Sequence, residues 1–147
     1  MATERKPEPK LERTLAIIKP DATSRGLAGE ILSRIHKAGF AVAAIKSMRL
    51  TQAEAEGFYA VHRERGFFRE LTDFMSSGKV IVLVLEAEGA IARWRDTMGA
   101  TDPAKAAAGS IRRDLGTSIG SNCTHGSDAP ETAAFEIGYF FAGHELL

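Results

Sequence analysis

Six consecutive residues, Val80-Ile81-Val82-Leu83-Val84-Leu85, carry no polar side chain and are mostly β-branched. A strand with one wet face alternates apolar and polar residues, so an unbroken run of this kind is a strand buried on both faces. At 147 residues the chain is one domain by length, long enough to bury a sizeable core around that strand.

The rest of the chain supplies the cover. Arg13 to Lys19 reads as a short strand stopped by Pro20, and Phe40 to Leu50 as a second. Leu27, Ile31, Ile35 and Ala38 recur at helical spacing, with Gly39 ending the helix. Thr51-Gln52-Ala53-Glu54 has the form of a capping box and opens a helix expected to run to about Arg63. Phe68 to Met75 and Gly89 to Met98 are helical, and Thr101 to Gly120 is irregular with short helical turns at most. A short strand is expected near Asn122 to His125, then a helix from about Asp128 to Phe140. Strands alternate with helices, but helices also come in pairs, which favours an α+β class over a doubly wound sheet. Residues 1–11, with two prolines and mixed charge, read as a flexible tail ahead of a domain over 12–147.

Lysine plus arginine equals aspartate plus glutamate, 19 of each, which argues against a dedicated nucleic-acid partner. Nothing approaches the roughly 18 apolar residues in a row of a membrane span, and the polar N-terminus does not read as a secretory signal. A single cysteine, Cys123, allows no internal disulfide and fits a cytoplasmic protein. Asn122-Cys123-Thr124 matches a glycosylation acceptor only formally.

The chemically loaded stretch is Asn122-Cys123-Thr124-His125-Gly126-Ser127-Asp128. It sets an imidazole where the chain leaves a strand, turns at glycine and enters a helix, with Ser127 and Asp128 as N-cap candidates and Pro130 in the first turn. A neutral imidazole is a competent nucleophile near pH 7. Cys123 and His125 alone do not make a zinc site. Glu136, about two turns into the following helix, could reach the imidazole directly or through Ser127, and the Gly126 carbonyl is another possible partner. No glycine-rich phosphate loop is present, because Gly78-Lys79 lacks the preceding glycine and is followed by Val80. Any phosphate must therefore be met by cationic side chains, for which Lys19, Arg95 and Arg112 are candidates.

The run from Asn122 to Asp128 resembles the active-site signature of nucleoside diphosphate kinases, N-x-x-H-G-S-D. The resemblance continues in Glu12 to Asp21, Phe58-Tyr59, Arg65-Gly66-Phe67-Phe68, Met75 to Gly78, Arg95 to Pro103 and Gly109 to Arg112, in order from Glu12 onward. It implies a ferredoxin-like βαββαβ antiparallel sheet with helices on one face and inserted helices. It also implies ping-pong transfer of a γ-phosphoryl group, typically from ATP, to a nucleoside diphosphate through a phosphohistidine at His125. Glu136 and Ser127 would support the ring, and Tyr59 would sit near it and Lys19. Arg95, Thr101 and Arg112 would meet the phosphates, Phe67 and Ile119 the base, and Lys19 with Asn122 the ribose. Mg²⁺ would come through the nucleotide phosphates, with no protein metal ligands, and the family forms homo-oligomers built on a dimer, as tetramers or hexamers.

Gly66 stands where the family usually carries proline, and Asp102 where asparagine is more frequent. Two other functions remain to be separated from this one. A catalytically silent relative with a regulatory or nucleic-acid-binding role would be expected to lose the histidine or the cations. A phosphocarrier would need neither base platform nor ribose ligand.

Overall fold

The computed structural model describes residues 10–146. Four antiparallel strands form one sheet in the order β2-β3-β1-β4: β1 is Leu11–Ile18, β2 Ala41–Arg49, β3 Lys79–Glu88 and β4 Thr124–Gly126. The helices are α1 (Pro20–Ser24), α2 (Ala28–Lys37), α3 (Gln52–Phe58), α4 (Phe68–Met75), α5 (Ala90–Met98), α6 (Ile111–Leu115) and α7 (Pro130–Phe140). This is the ferredoxin-like arrangement.

The central strands are buried on both faces, as the apolar run of β3 requires. Leu83 and Leu85 pack with Ile31 and Ile35 of α2 and with Trp94 and Met98 of α5. Val80, Val82 and Val84 point the other way, against Phe58 of α3, Met75 of α4, and Ile137 and Phe140 of α7. The two crossover helices α2 and α5 thus lie on one face, and the inserted helices with α7 close the other. Alternation along β1 divides in the same way, Ala16 and Ile18 to the first core, Leu15 and Ile17 to the second.

Several local expectations differ in detail. The strand begins at Leu11, paired with Glu88, inside the expected tail, and residues 1–9 and 147 lie outside the described residues. Pro20 ends β1 but also opens α1 at its first position, where the missing N–H costs nothing. The Thr51–Glu54 capping box forms in both directions, at 2.9 and 3.1 Å. Its helix stops at Phe58, however, because Tyr59 turns into the core and a 3₁₀ turn follows at Ala60–His62. Periodicity cannot separate that turn from one more turn of α-helix. Among the described residues no helix is long and apolar enough to cross a membrane.

Candidate active site

The last strand sets the histidine. Three residues of β4 pair with β1, with His125 opposite Ile17. The indole of Trp94 donates from Nε1 to the His125 carbonyl at 3.1 Å, tying that backbone to α5. Gly126 is required at the next position, since a Cβ there would lie 2.5 Å from Trp94 Cδ1 and 2.6 Å from Met98 Cε. The ring meets the edges of Phe58 and Tyr59 at centroid distances of 5.3 and 6.0 Å.

His125 Nε2 lies 2.9 Å from Glu136 Oε1. The same oxygen accepts from Ser127 Oγ at 2.9 Å, and Ser127 Oγ in turn accepts from Leu15 N at 3.1 Å. An ionised carboxylate can only accept, so this contact selects the tautomer protonated at Nε2. Nδ1 is then the ring nitrogen with a free lone pair. The direct contact with Glu136 answers which partner holds the ring, the alternatives having been a relay through Ser127 or the Gly126 carbonyl.

Ser127 and Asp128 are not the helix caps that local sequence favours. The cap residue of α7 is Ala129, and Thr132 Oγ1 accepts from the amides of Asp128 and Ala129 at 3.2 and 2.9 Å. Ser127 is fully buried behind the histidine, and the Asp128 carboxylate accepts from Arg95 Nη1 at 2.6 Å.

His125 lines a cleft of about 730 Å³. Lys19, Tyr59, Phe67, Arg95, Thr101, Arg112, Ile119 and Asn122 line it too, whereas Glu136 and Ser127 stand behind the ring. Lys19 is buried, and its Nζ donates to Asn122 Oδ1 at 2.9 Å. Burial first, then the Arg112 guanidinium, lower the Lys19 ammonium to about 8. Asn122 Nδ2 donates to the Thr101 carbonyl at 3.0 Å. Arg112 donates from Nη1 to the Gly99 carbonyl at 3.1 Å and from Nη2 to the Thr124 carbonyl at 2.8 Å, while its buried Nε has no partner. Burial and nearby Arg95 push the Arg112 guanidinium below its ordinary value. Tyr59 is buried with its hydroxyl unpartnered, and burial, then Glu136, raise that hydroxyl above its usual range. Phe67 and Ile119 are 48% and 60% exposed and both line the cleft, which suits them to an apolar ligand surface.

Three participants escape sequence reading. Trp94 looks like an ordinary core residue. Asp21 follows Pro20 as a plain helix-start acid, yet its Oδ2 accepts from Cys123 N at 3.0 Å. His62 lines the cleft between Tyr59 and Phe67, with ring distances of 6.4 and 5.5 Å. Only its spacing from Tyr59 and Phe67 hinted at this. Asp102 and Gly66 do not line the cleft, and the Asp102 carboxylate caps a 3₁₀ turn by accepting from Ala104 N at 3.0 Å.

The nucleoside diphosphate kinase family model matches residues 12–146. A nucleoside diphosphate kinase of Desulfotalea psychrophila is 63% identical over 137 residues, 93% of this chain and 100% of that protein. One from Syntrophotalea carbinolica is 61% identical with the same coverage. The crystal structure of the Aquifex aeolicus nucleoside diphosphate kinase superposes with a TM-score of 0.91 at 49% identity, covering 94% of this chain and 100% of the other. The Halobacterium salinarum enzyme in complex with CDP gives 0.88 at 40% identity, covering 92% and 91%. The family match over nearly the whole chain, the high identity to these relatives and the shared fold agree, and the chain belongs to the nucleoside diphosphate kinase family.

Proposed function

We propose that this nucleoside diphosphate kinase moves the γ-phosphoryl group of a nucleoside triphosphate to a nucleoside diphosphate by a ping-pong route through phosphorylated His125. The observation that carries the reading is the 2.9 Å contact between His125 Nε2 and Glu136, which leaves Nδ1 unengaged in a residue lining the cleft. Nδ1 attacks the γ-phosphorus. The N–P bond forms as the bond to the bridging oxygen breaks, and that oxygen leaves with its electron pair on the diphosphate. Nε2–H stays on the ring and donates to Glu136, whose charge offsets the positive charge the ring acquires. A second diphosphate then reverses the step.

Arg95, Thr101 and Arg112 bind phosphate oxygens, and Arg95 exchanges its exposed partner Asp128 for them. Lys19 and Asn122 hold the ribose hydroxyl, Phe67 and Ile119 the base. Tyr59 packs against the histidine. Magnesium belongs to the same proposal: it would come with the nucleotide and offset the charge of its phosphates. Lys19, Arg95, Thr101 and Arg112 would hold the ion through the phosphates they bind. Assembly as a dimer-based homo-oligomer is supported by β2, a nine-residue strand at the edge of the sheet. Cytoplasmic residence is supported by the lone buried thiol of Cys123.

Incubation with γ-labelled ATP tests the route. Label should stay on the protein and pass to a triphosphate when an unlabelled diphosphate is added. Label that reaches product without ever resting on the protein would overturn it.

Substrate choice is expected to be broad. Phe67 and Ile119 offer faces for any base, and a relative at 40% identity is described with CDP bound. Second-order rates for GDP, CDP and dTDP with the phosphoenzyme should agree within about two orders of magnitude, because stacking discriminates little. A 3′-deoxy analogue should be much poorer. Preference for one base beyond roughly 10³-fold would reveal an edge-reading contact.

Lys19 sets a pH limit. Its ammonium is charged below about 8 and neutral above. Nucleotide phosphates are already fully ionised there. KM for the diphosphate should therefore rise between pH 8 and 9.5, and a flat profile would remove Lys19 from the binding role. The stability of the free protein moves oppositely. Between about 8 and the ordinary 10.5 the unfolded chain binds more protons at this residue, so stability should increase with pH across that window.

A further inference from the structure

We propose that Asp21 is a positioning residue for nucleotide binding, its carboxylate holding Cys123 in the backbone conformation that presents the Asn122 amide to Lys19. This rests on the reading above that Lys19 and Asn122 meet the ribose.

Cys123 has φ of +73°, and among the described residues no other non-glycine residue has a positive φ. Thr124 N donates to Asn122 O at 2.9 Å, so Cys123 is the central residue of a three-residue turn. That turn is rare and strained for a residue with a β-carbon. It persists only where its surroundings over-determine it. Both polar groups of the Cys123 backbone are taken by the segment that carries Lys19: Lys19 N donates to Cys123 O at 2.8 Å, and Cys123 N donates to Asp21 Oδ2 at 3.0 Å. Pro20, between the two, opens α1 with its fixed φ. The clasp therefore sets the Lys19 and Asn122 side chains against each other at 2.9 Å.

Asp21 Oδ1 is buried without a partner. A carboxylate that gives up water on one oxygen and gains a single backbone bond on the other is costly unless that bond is needed. The adjacent thiol is no charged rival. Burial, then the Asp21 charge, push Cys123 up to about 11.

His125 is held by other means, through the β1 pairing, the Trp94 indole and Glu136. Asp21 thus acts on the sugar end of the nucleotide and not on the phosphoryl step.

Steady-state kinetics and amide hydrogen exchange test this on the intact chain. Asp21→Ala should raise KM for the nucleoside diphosphate about tenfold, with kcat within about threefold, and remove exchange protection from the Cys123 amide. Asp21→Asn keeps an oxygen acceptor without the charge and should behave like the wild type. Cys123→Gly added to Asp21→Ala should recover much of the lost affinity, because glycine adopts this φ without strain. An unchanged KM in Asp21→Ala, or Asp21→Asn impaired as badly as Asp21→Ala, would overturn the proposal, the latter by showing that charge on Lys19 is what matters. Asn122→Ala separates the two readings. A wild-type KM there would remove the ribose assignment and with it the route by which Asp21 acts. A raised KM in Asn122→Ala with Asp21→Ala silent would overturn the clamp alone.

Discussion

His125→Ala should lose turnover by roughly 10⁴-fold or more and accept no phosphate from ATP, while staying folded. The wild type should carry one acid-labile, base-stable phosphate per chain. The large effect follows from the proposed route, in which the groups packed against the ring cannot replace the carrier. Glu136 and the buried Ser127 are committed to each other, and Tyr59 keeps its proton well above neutral pH. The fold should survive because the ring's contacts are edge contacts with Phe58 and Tyr59, whereas β4 is held through backbone pairing and the Trp94 bond to the carbonyl. Phosphate stoichiometry under acid and base treatment, with a thermal melt of both proteins, checks this. Phosphate recovered on a serine or on another histidine would move the carrier elsewhere.

Gly126→Ala should damage both fold and activity without touching a reacting group. The added methyl would meet Trp94 and Met98 inside van der Waals contact in a fully buried region, an overpacking cost of about 1–3 kcal/mol. Relief requires Trp94 to move, and Trp94 holds the His125 carbonyl. Displacing a reacting group by about 1 Å can cost 10²-fold in rate, so kcat should fall by about that factor as Tm drops. Gly138→Ala is the matched control. It lies exposed within α7 with nothing within 4 Å of a new Cβ, so the same substitution there should stabilise by about 1 kcal/mol and leave kcat alone. Equal behaviour of the two variants would show that the Trp94 wall is softer than the packing implies.

The elements legible in the sequence are those set by near neighbours. The capping box at Thr51, the helix Phe68–Met75 and the doubly buried β3 all follow from residues within a few positions of one another. Ser127 misled for the same reason. Local rules make it a cap, but its hydroxyl is claimed by Leu15, 112 positions away in sequence, and by Glu136. The strain at Cys123 has no local signature at all, since nothing in its composition marks a positive φ. It exists because Lys19 and Asp21 grip the turn from outside.

By itself, then, the sequence determined the class of fold, through β3 and the alternation of strands with helices. Through the ordered motifs from Glu12 to Asp128 it also picked out side chains that the structure brings to one cleft, Lys19, Arg95, Arg112 and His125 among them. Tertiary structure decided how they meet. The pairing of β1 with β4 brings Lys19 within 2.9 Å of Asn122 across 103 positions of chain. The start of α7 turns Glu136 onto Nε2 and leaves Nδ1 free. Hydrogen bonds of 2.9 Å depend on how whole elements pack, whereas periodicity and capping act over one or two turns, so identity is written locally and geometry is not.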